Sequence, residues 1–286
     1  MPELPEVTAL VADLGARLIG REIKRLDILS FSALKTFAVS VDALEGQTFT
    51  SASRHGKFLD FGIGDIHLVM HLARAGWIRW RDSAPQPSKA LGRGPLTARL
   101  ILDDGSGFDV TEYGTKKSLA IYLVRDPLEI PGIAKLGPEP LDAAFTEQAF
   151  AEILSHAGRA QIKGVLRNQS VIAGIGNAYS DEILHVAKMS PFKPASMPPE
   201  DVTRLYDAMQ TTLREAIARA DGLAASELKA EKKSNMRVHG RNGLPCPVCG
   251  DTVRQVIFAD STLQYCPTCQ TGGKPLADRV LSRLLK

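Results

Sequence analysis

The chain has 286 residues, 44% hydrophobic and 23% charged, with a formal net charge of +3 at pH 7. That is an ordinary globular composition, long enough for one large core or two modest ones, and the charge excess is too small to argue for nucleic acid by itself. No apolar run of about 18 residues and no basic segment leading into an apolar one occurs, so neither a membrane span nor a secretory leader is expected, and the chain reads as a soluble, cytoplasmic monomer.

The opening, MPELPEV, sets a proline at position 2 and carboxylates at Glu3 and Glu6. Val7, Leu10, Val11, Leu14, Leu18 and Ile19 then recur at helical spacing, with Pro5 suited to the first turn and Gly20 to the stop. From about residue 21 to 125 the texture is β-rich: IKRLDIL, KFLDF, IHLVMHL, WIRW, ARLILDD, FDVTE and LAIYLV are short runs separated by turn signals. Such spacing predicts a β-sandwich or barrel, with residues 81–95 as a long loop. The proline-rich stretch 129–150 reads as a linker. Helical patterns follow, and the fold class is α+β and multidomain: 1–128 a helix plus β-sandwich, 151–240 helical, 241–272 a cysteine module, and 273–286 a short basic tail.

The four cysteines, Cys246, Cys249, Cys266 and Cys269, form two CxxC pairs. Clustering so late in the chain argues against a secreted disulfide scaffold. Two such knuckles joined by a hairpin can close a tetrahedron around one structural Zn2+, with redox CxxC chemistry or an iron–sulfur site as alternatives. Further upstream, VIAGIGNAYSDEIL places Gly174, Ile175 and Gly176 in a tight turn before a helix beginning at Asn177. Backbone N–H groups there, with the Asn177 amide, suit a phosphate; the plainer reading is a helix–helix turn with Asn177 as N-cap.

MPELPEV, SRHGKFL (53–59), LGPEPL (136–141), IKGVLRNQSVIAGIGNAYSDEIL and the late four-cysteine finger together resemble the formamidopyrimidine-DNA glycosylase and endonuclease VIII family. The likeness spans residues 1 to about 270. It implies a DNA glycosylase with abasic-site lyase activity on damaged double-stranded DNA. In that family Met1 is removed and Pro2 is the nucleophile; its secondary amine gives an iminium directly on attacking C1′, and β- and δ-elimination follow. Glu3 matches the proton donor and acceptor, and Glu6 the second acidic position. Lys57 matches a phosphate-gripping lysine on a β-hairpin. Asn177 with Gly176, and Lys163, match DNA-facing positions, and base flipping is implied.

The pattern is broken in three places. Arg74 stands where the family carries a wedge methionine, and Lys116 and Lys117 stand where an Arg-Arg-Phe wedge is usual. At the finger tip Ser261 replaces an arginine, leaving Arg254 elsewhere on the hairpin as the available cation. Trp77 reads as a core aromatic rather than an intercalator. These departures leave a rival expectation, a weakly catalytic binder of damaged or abasic DNA using the same fold.

Overall fold

The computed structural model describes residues 1–83, 94–114, 116–258 and 261–277. Most of the loop expected at 81–95 and of the tail expected at 273–286 lies outside the described residues. The chain divides into two compact units, Met1–Leu136 with Ala220–Lys229, and Gly137–Arg219 with Ala230–Lys286.

The first unit begins with helix α1, Leu4–Leu18. Its apolar stripe, Leu4, Val7, Leu10, Leu14 and Leu18, is buried, as one face of a 3.6-residue period requires. The helix starts at Leu4 because Glu3 takes the N-cap and Pro5 fits at the first turn. It stops where Ile19 leaves helical geometry and Gly20 adopts a φ of 82°. Strands β1 (Ile23–Ile28), β2 (Phe49–His55), β3 (Phe58–Ile63), β4 (Ile66–His71), β5 (Gly76–Arg81), β6 (Leu96–Leu102), β7 (Gly107–Glu112) and β8 (Ala120–Val124) follow. They form two antiparallel sheets, ordered β1-β6-β7-β5 and β2-β3-β4-β8. Leu26, Leu100 and Phe108 of one sheet share a single core with Leu59, Phe61, Leu68 and Ile121 of the other. This is the expected β-sandwich. The strand that sequence pattern did not reveal is β2, whose FTSASRH is polar because it edges its sheet, where only Phe49 is buried.

Two boundaries differ from expectation. Part of the supposed linker belongs to the first unit: Ile130 and Ile133, flanking and within α2 (Pro131–Ala134), bury with Val69 and Val124 on the outer face of the second sheet. Residues 220–229, expected within the helical domain, also return to the first unit. Ala220, Ala225 and Leu228 enter its core, the Ala225 N–H donates to Asp13 (3.2 Å), and its carbonyl accepts from the Trp77 indole (2.9 Å).

The second unit contains α3 (Glu147–Ala157), α4 (Ile162–Arg167), α5 (Asn177–Val186) and most of α6 (Pro199–Ala220) and α7 (Leu228–Asn235), whose ends at Ala220 and at Leu228 and Lys229 belong to the first. Phe150, Leu154, Ile162, Leu166, Ile183, Leu184, Leu205 and Met209 make its core. Strands β9 (Arg254–Ile257) and β10 (Thr262–Tyr265) pair as an antiparallel hairpin, followed by the short helix α8 (Pro267–Thr271). Among the described residues no helix is long and apolar enough to cross a membrane.

Candidate nucleic-acid interface and metal centre

The chain start is held by its own carboxylates. Glu3 and Glu6 form a reciprocal capping box, in which the Glu6 carboxylate accepts the Glu3 N–H at 2.9 Å. Two of the helix's otherwise unpaired donors are thereby satisfied. Both side chains are only 2% exposed, Pro2 is buried, and Met1 is 45% exposed. Pro2 thus sits one residue ahead of a rigid cap, at the positive end of the α1 dipole.

The β2–β3 hairpin carries Lys57 in a two-residue turn, Gly56–Lys57, with Gly56 at a φ of 54°. Arg54, which sequence reasoning passed over inside SRHGKFL, joins this hairpin to the helix. Its Nε donates to the Thr8 hydroxyl (2.9 Å) and its Nη1 to the Gly56 carbonyl (3.1 Å). Lys57 is buried, and His71 beside it is pushed down to about 4 by burial and then by the Lys57 charge. His71 is therefore neutral at physiological pH.

Arg74 is exposed on the turn between β4 and β5. That turn is tight: the Gly76 N–H donates to the Leu72 carbonyl at 2.8 Å, and a Cβ on Gly76 would lie 2.2 Å from that oxygen. Glycine is the residue that lets the turn close. Trp77, the next residue, packs against the first core with the Lys229 ammonium 4.4 Å above its ring. Lys116 and Lys117 are exposed between β7 and β8, and the Lys117 ammonium is tethered to the Glu112 carbonyl. Arg254 is exposed at the start of β9; residues 259 and 260 of the finger tip lie outside the described residues.

In the second unit the glycine turn is folded by Gln169. Its amide accepts from Gly174 N–H (3.0 Å) and donates to the carbonyls of Ile175 (2.6 Å) and Arg167 (2.8 Å). LGPEPL braces the turn from outside, since Gly137 N–H donates to Gln169 O at 2.8 Å and a Cβ on Gly137 would meet the Val171 backbone at 2.5 Å. Gly176 is the N-cap of α5. Asn177 stands at the first helical position, so the N-cap reading of Asn177 is replaced. Its side-chain amide donates to Thr262 O on the finger hairpin (2.7 Å), while its Oδ1 is buried without a partner.

Lys163 does not face outward. It is 5% exposed, and its ammonium donates to Asp181 Oδ1 (2.6 Å), Ser180 Oγ (2.7 Å) and Asn177 O (3.2 Å). Lys163, expected to face DNA, is placed inward on α4, where it supplies the counter-charge that the fully buried Asp181 needs. The other Asp181 oxygen holds His239 Nδ1 (2.8 Å) and the Gln264 N–H (3.2 Å). Neighbouring Glu182 accepts three backbone N–H bonds, from Arg237, Val238 and His239 (2.7–2.9 Å), although burial raises its pKa. Asp181 and Glu182 were missed in the sequence. The available signal was an adjacent acid pair inside an otherwise apolar helix, which has to be paired or exposed.

At the finger, Cys246 and Cys269 Sγ lie 3.9 Å apart and Cys249 and Cys266 3.4 Å. A tetrahedron of 2.3 Å metal–sulfur bonds has an edge of about 3.8 Å, so the four donors fit one structural zinc ion. All four are free cysteines. Burial pushes the Cys266 thiol up to about 11 and raises Cys269 as well, so a dication is what would keep these two as thiolates at neutral pH. With every ligand position filled, the ion holds the fold rather than activating water.

Three family models match in order: the formamidopyrimidine-DNA glycosylase N-terminal domain at residues 1–112, its H2TH domain at 136–227, and the zinc finger found in FPG and IleRS at 243–272. The formamidopyrimidine-DNA glycosylase of Symbiobacterium thermophilum is 36% identical over 286 residues, covering 94% of this chain and 89% of that protein. This chain belongs to the formamidopyrimidine-DNA glycosylase family. The crystal structure of the family member from Thermus thermophilus superposes with a TM-score of 0.78 at 31% identity, covering 96% of this chain and all (100%) of that one. The Lactococcus lactis glycosylase in complex with DNA containing an abasic site gives a TM-score of 0.81 at 28% identity, covering 94% and 99% of the two chains. An uncharacterized formamidopyrimidine-DNA glycosylase-like protein of Mycobacterium tuberculosis is 58% identical over 152 residues, 53% of this chain and 94% of that protein.

Proposed function

We propose that this chain is a base-excision-repair DNA glycosylase with abasic-site lyase activity, acting as a cytoplasmic monomer on damaged double-stranded DNA. The observation that carries the reading is the Glu3–Glu6 capping box, which fixes the residue next to Pro2 at the head of a buried helix. Family membership supplies the reaction class. Solved relatives hold DNA with an abasic site or with carbocyclic 8-oxo-G, and a duplex carrying such a lesion is the proposed substrate.

Removal of Met1 turns the Pro2 nitrogen from a tertiary amide into a secondary amine. The α1 dipole favours its neutral form, because positive charge at a helix N-terminus is destabilised. The amine lone pair attacks C1′, the N–C1′ bond forms, and the glycosidic electrons leave with the base. The attacking nitrogen loses its proton, and Glu3 protonates O4′ as the C1′–O4′ bond breaks, opening the sugar to an iminium. The resulting iminium acidifies C2′–H, so β-elimination breaks the 3′ C–O bond and δ-elimination then releases the 5′ phosphate. Glu6 keeps the capping box closed while Glu3 exchanges protons. Lys57, Arg74, Lys116, Lys117, Arg254 and the Gly176–Asn177 turn are the proposed phosphate and strand contacts. Lys163 supports the turn from within through Asn177 O and Asp181.

Borohydride reduction during reaction with an abasic duplex tests this. A covalent protein–DNA adduct is expected from the Met1-processed chain and is lost in Pro2→Gly. Strand products should carry phosphate at both ends of the gap. Processed protein that yields no adduct would overturn the lyase assignment.

A further inference from the structure

Five metal-capable donors, rather than four, converge at the finger. His185 lies in the last turn of α5, outside the cysteine module, and its Nε2 is 3.3 Å from Cys246 Sγ. The ligand atoms of His185, Cys246, Cys266 and Cys269 all lie within 4.8 Å of one another. His185 is 3% exposed, and its Nδ1 is buried without a hydrogen-bond partner. Burying an imidazole with one nitrogen unsatisfied is costly, and its Nε2 is the atom turned to the thiolates. Cys249 is the opposite case. It is the exposed cysteine of the four.

Two four-donor sets therefore share Cys246, Cys266 and Cys269, completed either by Cys249 or by His185. A zinc tetrahedron with one imidazole and three thiolates has an N···S edge of about 3.6 Å. The His185–Cys246 separation is within a few tenths of an ångström of that. The buried set has three members at 3% exposure or less, His185, Cys246 and Cys266, whereas the other set includes the exposed residue Cys249.

We propose that His185 is a reserve zinc ligand, taking the place of Cys249 when that thiolate is lost and keeping the ion in a three-cysteine, one-histidine set. The chemical loss envisaged is peroxide oxidation. The Cys249 thiolate attacks H2O2, the O–O bond breaks, hydroxide leaves, and the sulfenic acid that remains is a poor ligand. His185 then ligates as neutral imidazole through Nε2, with its proton on Nδ1. An exposed thiolate is the one such an oxidant reaches first.

The test compares wild type, Cys249→Ala, His185→Phe and the double variant as purified holoproteins. Zinc per chain is measured by mass spectrometry, and cobalt-substituted samples by visible absorption. Wild type, His185→Phe and Cys249→Ala should each hold one ion. The cobalt d–d bands of Cys249→Ala should move to shorter wavelength as nitrogen replaces sulfur, and the double variant should lose the metal. Cys249→Ala emptied to the level of the double variant would overturn the proposal, as would a double variant that stays loaded. A second measurement needs no change at a cysteine: under hydrogen peroxide, His185→Phe should release zinc about tenfold faster than wild type. Equal release rates would refute the reserve role.

Discussion

Lys163→Met separates a buried structural lysine from a phosphate contact. The ammonium makes three hydrogen bonds, at 2.6, 2.7 and 3.2 Å, and its main partner Asp181 is fully buried. Removing one member of such a pair typically costs 3–5 kcal/mol, because the other charge stays behind uncompensated. Here Asp181 keeps His239 and the Gln264 N–H, which places the loss at the lower end, about 3 kcal/mol. For a unit of this size that is a fall in melting temperature of roughly 6–12 °C. Calorimetry on the zinc-loaded protein reads this directly. A salt titration of abasic-DNA binding supplies the contrast, since losing a phosphate contact would flatten the log–log slope by about one. An unchanged slope with a large thermal loss is expected. A melting temperature within about 2 °C of wild type, together with a slope lowered by about one, would refute the buried-pair reasoning.

Three further outcomes follow from the geometry. His71 is held at about 4 in the folded chain against an ordinary 6.5, so the unfolded state takes up the proton first as pH falls. Stability present above pH 6.5 is therefore lost on the way down toward pH 4, by about 2 kcal/mol at pH 5. His71→Phe, which keeps the ring contact with Phe58, should remove that part of the loss; equal urea midpoint shifts between pH 7 and 5 in both proteins would contradict it. Chelating the zinc should strip amide-exchange protection from the β9–β10 hairpin and release the Asn177 amide from Thr262. Abasic-DNA affinity should then fall at least as far as in Asn177→Ala, and full affinity without metal would count against the finger's role. Gly76→Ala forces a Cβ against the Leu72 carbonyl, so it should destabilise the first unit by about 1–3 kcal/mol and weaken DNA binding through the displaced Arg74 turn. Denaturant unfolding and a binding isotherm check both parts.

Much of this was legible in the residues. The α1 stripe and seven of the strands follow from period and turn chemistry, and paired CxxC spacing points to a four-thiolate metal site because knuckle geometry is local. What escaped has a common physical cause. β2 is an edge strand, and its polar side chains erase the alternation that marks a half-buried one. Lys163 sits in IKGVL beside Ile162, Val165 and Leu166, all buried, and no helical period tells an inward lysine from an outward one without its partner eighteen residues on. The return of residues 220–229 to the first unit depends on Trp77 and Asp13, which are close only after folding. His185 was hidden for the same reason, since its neighbour Cys246 is 61 residues away.

The central claim is that the processed N-terminal amine is the nucleophile, and its location can be read by mass spectrometry. Borohydride-trapped protein digested with nuclease and trypsin should carry the deoxyribose remnant on the peptide from Pro2 to Arg17, at its first residue. The same remnant on Lys57, carried by the uncleaved peptide from His55 to Arg74, or on any other lysine, with the N-terminal peptide unmodified, would contradict the account.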